Sequence, residues 1–398
     1  MTQCDCQKNL TLLNIYTILL NSVFILPIIL PFYRDELGLT FHDFLIGESL
    51  FAVVIILCDV PAGYLADRWG RKKTLVLGAA ALAGAYCLLA LAVGFWTALL
   101  AQAAIGVGIA IVSGANTALL YDTLLSQGRE SEYRRREGFR FALQLYSCSL
   151  ACVVGGYLYT LNHHLPVIME IFLISAGCVT AMFFIEPPRH KHISEHHPLR
   201  DIRDTLVYVL HGHKEIAGIV LLMVIVFSTT KICMWGIQAY AEALHIPEIY
   251  NGWMIALVML CGGISGHVGH KILPRLRGQQ ALQGLILMLV TILFVAGFSM
   301  SYIGIVCLGL EAFVYGFGMP RAQEAINNLV DSSRRATVLS TANLATSLGF
   351  IPLSQLVGIV TDRAGISTAL ITYGVVLVIL AGIAKVISRK RVLLAQKN

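Results

Sequence analysis

Across 398 residues the chain is 57% apolar and only 13% charged, with a formal net charge of +6 and a mean hydropathy of +0.74. Those values exclude a soluble globular protein, and the positive excess reads as a membrane-topology signal with no nucleic acid as partner. The ten cysteines sit mostly one by one in apolar runs and form no disulfide framework.

A hydrocarbon core of about 30 Å needs roughly 20 mostly apolar helical residues. About twelve stretches satisfy this, starting near Leu10, Phe44, Thr74, Phe95, Phe139, Leu165, Glu215, Tyr250, Gln279, Tyr302, Ala336 and Ile366. The expected fold is an all-α polytopic membrane protein; the runs lack the polar and apolar alternation of barrel strands. Pro27, Pro31, Pro61, Pro320 and Pro352 fall in or near spans, which membrane helices tolerate where neighbours satisfy the freed carbonyls. The polar start MTQCDCQKN precedes a run long enough to span, so no cleaved signal is expected.

Of the 29 basic residues, all but Arg34, Lys231 and Arg363 fall at the termini or in connections on one side of these spans. Basic loops stay in the cytoplasm, which places both termini there. The longest polar interruption, IEPPRHKHISEHHPLRDIRD at 185 to 204, separates an N-terminal bundle (1–185), a cytoplasmic linker (186–214) and a C-terminal bundle (215–398). Pro187 and Pro188 stop the preceding helix, and Leu199, Ile202 and Leu206 fit a short amphipathic helix on the membrane surface. The linker histidines His190, His192, His196 and His197 match no metal-site spacing, so neither metal nor cofactor is expected.

The stretch GYLADRWGRKK, residues 63 to 73, concentrates five charges between Asp67 and Lys73 in this charge-poor chain. With about twelve spans and a central linker, it resembles the signature loop of the major facilitator superfamily, at Gly63, Asp67, Arg68, Gly70, Arg71, Lys72 and Lys73. DVPAG at 59 to 63, Tyr121-Asp122 and RRATVLS at 334 to 340 are similar to bacterial members as well. The resemblance implies two pseudo-symmetric six-helix bundles and secondary transport by alternating access. It also implies that Asp67, Arg71 and Asp122 form a latch between halves. In that reading Gly63 and Gly70 let helices approach closely, and Asp67 sits against the positive end of a helix from the other half. Arg68 is a further inner-gate, charge-relay candidate, and the alternative for Arg68, Lys72 and Lys73 is that they only enforce topology. The sequence departs from proton-coupled relatives at Gln102, where many carry arginine, and from drug antiporters at CVVGGYLY (152–159), which lacks their proline. The connection GHVGHKILPRLRG keeps Gly266, Lys271 and Arg275 as an echo of the first-half loop.

Charges inside a bilayer are costly and mark functional candidates. Lys231 and Glu311 both fall mid-span at similar depth, and two roles compete: a structural ion pair, or contacts to substrate and protons. Asp59 lies one turn before Gly63 as an inner-gate, proton-binding or structural group. Glu48 is an outer-gate candidate, whereas Glu170 is expected to snorkel outward. Asn14 and Asn21 share a helix face, Asn116 and Gln144 are set to face one cavity, and Trp235 and Gln238 add a wall and an amide beyond Lys231. Interhelical hydrogen bonding is the alternative for each of these polar groups. His267 and His270 share a face of one helix.

No nucleotide-binding loop is present, so an ion gradient, most simply of protons, is the expected energy source. The reading that follows is a monomeric exporter in the bacterial cytoplasmic (inner) membrane. It would act as a proton-coupled antiporter for efflux of a small polar or anionic metabolite or drug-like compound, a siderophore included. Its partners would be the substrate, protons and membrane lipid. An importer by symport of an amino acid, peptide or other nutrient shares the same fold. A non-transporting membrane sensor would need a chemical site or large soluble domain that the chain lacks, and no catalytic constellation is visible.

Overall fold

The computed structural model describes residues 2–188, 214–272, 278–330 and 335–395, and all regular structure among them is helical. The linker histidines, Leu199, Ile202, Leu206, Arg275 and Arg334 lie outside the described residues, as do the side chains of His270 and Lys271. In chain order the helices are α1 (Gln3–Asn21), α2 (Ile29–Asp35), α3 (Phe41–Trp69), α4 (Arg71–Ala90), α5 (Phe95–Leu125), α6 (Tyr133–Leu161) and α7 (Leu165–Met182). They continue as α8 (Lys214–Ala243), α9 (Ile249–Ile272), α10 (Gly278–Ser299), α11 (Tyr302–Gly309), α12 (Glu311–Asn327) and α13 (Arg335–Ala395).

Among the described residues, 11 helical segments are long and apolar enough to cross a membrane, and the last of them, Val338–Ala384, runs 47 residues. At 1.5 Å per residue that is about 70 Å, more than two hydrocarbon cores. Ser228 of α8 donates to the Thr346 carbonyl at 3.0 Å, and the adjacent Thr229 bonds the Tyr373 hydroxyl at 2.8 Å. In an unbroken helix Thr346 and Tyr373 would stand about 40 Å apart. The chain therefore reverses between them, at Gly365, whose φ of 83° and ψ of 161° are non-helical. The segment thus supplies the eleventh and twelfth crossings. Gly70, at φ 107° and ψ 153°, joins α3 to α4 with the same one-residue device. This backbone region is essentially reserved for glycine.

Two other spans are interrupted. α1 stops at Asn21, the chain passes through a 3-10 turn at Leu26–Ile28, and α2 resumes at Ile29. Pro27 explains the break, since it has no N–H for the Val23 carbonyl and its ring would clash with that carbonyl in a continuous α-helix. The second interruption, at Leu310, separates α11 from α12 and leaves Glu311 as the first residue of the new helix.

Contacts divide the chain into two compact units, Met1–Ser194 with Pro247–Leu260, and Glu195–Ile246 with Cys261–Asn398. In the first, Leu10, Leu13 and Tyr16 of α1 pack with Leu75, Ala79, Leu119, Leu124 and Phe184. Asn9 pins the end of this bundle, donating to the Ile185 carbonyl at 2.8 Å and accepting the Ile185 N–H at 2.9 Å. The adjacent glycines of α6 seat two different backbones. A Cβ on Gly155 would stand 2.9 Å from the Phe24 carbonyl carbon, and one on Gly156 would stand 3.1 Å from the Gly252 Cα. Gly155→Ala is accordingly expected to cost about 1–3 kcal/mol by overpacking. Gly84→Ala is the control, because among the described residues its Cβ would meet no atom within 4 Å. Thermal unfolding of the purified variants checks the difference.

In the second unit α9 and α12 approach along small residues. Ser265 Oγ donates to the Gly262 carbonyl at 2.9 Å, and a Cβ on Gly262 would touch the Ala312 carbonyl at 3.5 Å. A Cβ on Gly316 would collide with the Gly262 carbonyl and Ser265 Oγ. Such seams supply close van der Waals packing where lipid removes the hydrophobic drive between helices.

Candidate functional site

The signature loop forms a compact charge cluster in the first unit. Arg71 Nη1 meets Asp67 Oδ1 at 2.6 Å across one helical turn of chain, and Arg71 Nε donates to Asp122 Oδ2 at 3.1 Å. Glu186 completes the cluster, its two oxygens accepting the Arg71 and Lys72 backbone N–H groups at 2.7 and 2.8 Å. These are orphan donors at the start of α4, where the helix dipole also favours a carboxylate. Asp67 is 66% exposed, Arg71 20% and Asp122 27%. Arg68 and Lys73 are exposed, and Lys72 is half-buried.

Within its own unit the loop uses its glycines differently from one another. Among the described residues a Cβ at Gly63 would meet no atom within 4 Å. Gly70 acts through its positive φ at the α3–α4 joint. Glu186, which sequence reasoning assigned to the linker, seats its carboxylate on the N-terminus of α4.

In the second unit, Glu311 opens α12 at only 4% exposure. Among the described residues its carboxylate has neither an ion pair nor a hydrogen bond, and the expected pair with Lys231 is not formed. Lys231 instead places its ammonium 4.2 Å from the centre of the Phe350 ring, a cation–π contact. Phe227, one turn earlier on α8, meets Tyr315 edge to face at 5.7 Å. Trp235 and Gln238 are buried on the same helix.

The remaining candidates scatter. Glu48 is buried and accepts the Gln102 side-chain amide at 3.1 Å, so the glutamine that replaces arginine partners a carboxylate across α3 and α5. The buried Tyr33 hydroxyl has no hydrogen-bond partner among the described residues. Asn21 spends its amide on the Thr17 carbonyl of its own helix at 2.8 Å, because α1 ends there and leaves carbonyls unbonded. Asn14 is half-buried. Asn116 is half-buried with its Oδ1 unbonded among the described residues, whereas Gln144, Asp59 and His267 are exposed. Glu170, expected to reach outward, is 1% exposed and accepts the Phe24 N–H at 2.8 Å.

Sequence reasoning missed Arg140, buried on α6 between Thr17 Oγ1 at 3.2 Å and Glu137 at 2.9 Å. Its signal was weak, since it sits in a basic run at a helix start. Arg34, an exception to the charge asymmetry, is neutralised by Asp35 at 2.6 Å and Glu248 at 3.1 Å. Beside it Glu36 bonds His163 at 2.6 Å and His164 at 3.0 Å. The His163 hydrogen bond, reinforced by His164, holds the Glu36 carboxyl below its ordinary range against a small opposing effect of burial.

Known proteins place these features in context. The chain is 22% identical over 314 residues to the quinolone resistance protein NorA of Staphylococcus aureus, covering 77% of each. It is 25% identical over 152 residues to the class G tetracycline resistance protein of Vibrio anguillarum, covering 38% of this chain and 37% of that one. Among solved structures, the nucleoside transporter NupG superposes with a TM-score of 0.76 at 14% identity, covering 96% of this chain and 98% of that one. A bacterial homologue of the lysosomal transporter Spinster gives 0.74 at 14% identity, covering 98% of both chains. The family model of the Major Facilitator Superfamily matches residues 12–351. With helical crossings throughout, a helical fold shared with solved transporters and that match over most of its length, the chain is a multi-pass membrane transporter, not an enzyme, and belongs to the Major Facilitator Superfamily.

Proposed function

We propose that this transporter is a proton-coupled exporter of small polar or anionic, including drug-like, compounds. The observation that carries the reading is Glu311, a buried carboxylate without a basic partner among the described residues, set at a break in its span. Intramembrane carboxylates of this kind mark proton and ion pathways, and interrupted helices in transporters border binding sites. Lys231, held over Phe350 in the same unit, supplies positive charge and a ring for a substrate that carries an anionic group on an apolar body. Two curated relatives with drug resistance in their names support export over import. Both termini are read as cytoplasmic, the protein as a monomer in the bacterial inner membrane, and the cluster of Asp67, Arg71 and Asp122 as the latch that stabilises one access state.

Everted membrane vesicles test the proposal. With the vesicle interior made acidic, they should accumulate at least one compound from a panel of fluoroquinolones, tetracyclines and small organic anions, and a protonophore should collapse the accumulation. Accumulation by right-side-out vesicles under an inward proton gradient, with none in everted ones, would establish import and overturn the reading.

A further inference from the structure

A second buried carboxylate stands outside that scheme. Glu170 of α7 is 1% exposed, has no ion pair among the described residues, and aims into the gap between α1 and the Leu26–Ile28 turn. Its Oε2 accepts the Phe24 N–H at 2.8 Å. In a continuous helix this donor would be satisfied within the helix; the break before Pro27 leaves it without a helical acceptor in a buried place.

The surroundings are built for the same gap. Ser22 Oγ and the Asn21 amide take the Ile18 and Thr17 carbonyls at 2.7 and 2.8 Å, closing the end of α1. Gly155 leaves room for the Phe24 carbonyl, and Gly177 leaves room for Leu20. Beyond the gap, α2 carries Tyr33 edge to face on Phe44 at 5.3 Å, one helical turn before Glu48 on α3. The placement of α2 therefore sets one wall beside the Glu48–Gln102 pair.

We propose that Glu170 is a positioning residue for α2: by accepting the freed Phe24 N–H it holds the first span in two pieces and aims α2 at the Glu48 region. The role depends on an acceptor at the right reach, not on negative charge, and is independent of the direction or coupling of transport. Glu170→Gln keeps reach and acceptor without charge; Glu170→Asp keeps charge but withdraws the oxygens by one methylene. Hydrogen–deuterium exchange of the purified full chain, read on peptides covering 20–35, separates the two. Glu170→Asp should raise exchange there on the order of ten-fold, as expected for a lost buried hydrogen bond, with α4 and α5 unchanged. Glu170→Gln should stay within about two-fold of the parent. Glu170→Leu, if it folds, should match or exceed Asp. Equal exchange in the parent and Asp variant, faster exchange in Gln than in Asp, or a rise spread evenly over the chain would each overturn the proposal.

Discussion

Glu311→Gln is expected to fold and reach the membrane at the parent level, yet lose at least about ten-fold in pH-driven accumulation. Glutamine reproduces the carboxyl's shape and keeps an acceptor, so the packing of α12 against α9 is spared. What it removes is the capacity to take up and release a proton. Because Lys231 lies over Phe350 and forms no pair with Glu311 among the described residues, Lys231→Ala should damage transport by a separate route. A double-mutant cycle on thermal stability should then be additive within about 0.5 kcal/mol, as for side chains that share no partner. Normal gradient-driven accumulation by Glu311→Gln would remove Glu311 from the coupling mechanism and turn attention to Asp59. A coupling energy of 1 kcal/mol or more would mean that the two charges meet.

Arg71→Ala is expected to reduce transport at least about ten-fold while moving the melting temperature little. The guanidinium joins carboxylates from the ends of two helices, but both ion pairs are partly solvated, and exposed pairs contribute only about 0–1 kcal/mol to folding. A small energy is still enough to shift the balance between two access states of similar free energy. Arg71→Lys has no fork with which to engage both carboxylates and should recover only part of the rate. Glu186→Ala gives the contrasting result, a lost helix cap of about 0.5–2 kcal/mol with the Arg71 side-chain bridge left in place. Labelling of an engineered cysteine reports the population of states. Unchanged labelling and parental rates in Arg71→Ala would leave the cluster with topology as its sole purpose.

Depth was readable from the chain because each residue advances a helix by about 1.5 Å, and that arithmetic located nearly every crossing and put Glu311 and Lys231 inside the bilayer. Azimuth was not. It depends on how each helix rolls against its neighbours, and segments apolar nearly all round offer no polar face to reveal the roll. That is why Glu170 was assigned to the outside and Lys231 was paired with Glu311. The resemblance carried by GYLADRWGRKK and Tyr121-Asp122 grouped Asp67, Arg71 and Asp122, and Arg71 does reach both carboxylates. Glu186 escaped notice because two prolines follow it and gave its segment the look of linker. Pro27 marked where the first span was vulnerable; only the packed neighbours showed which side chain occupies the gap.

The one-residue joint at Gly365 has a practical consequence for mapping how the chain threads the membrane. Reporter fusions and epitope insertions need slack on either side of the graft, and a reversal made by a single glycine at φ 83° offers none. A tag placed there would report damage to the last two crossings, whatever face it reached. Arg363, two residues earlier and exposed, offers a gentler handle: a single cysteine at that position, probed with an impermeant maleimide, reads the face of the final hairpin without adding a residue.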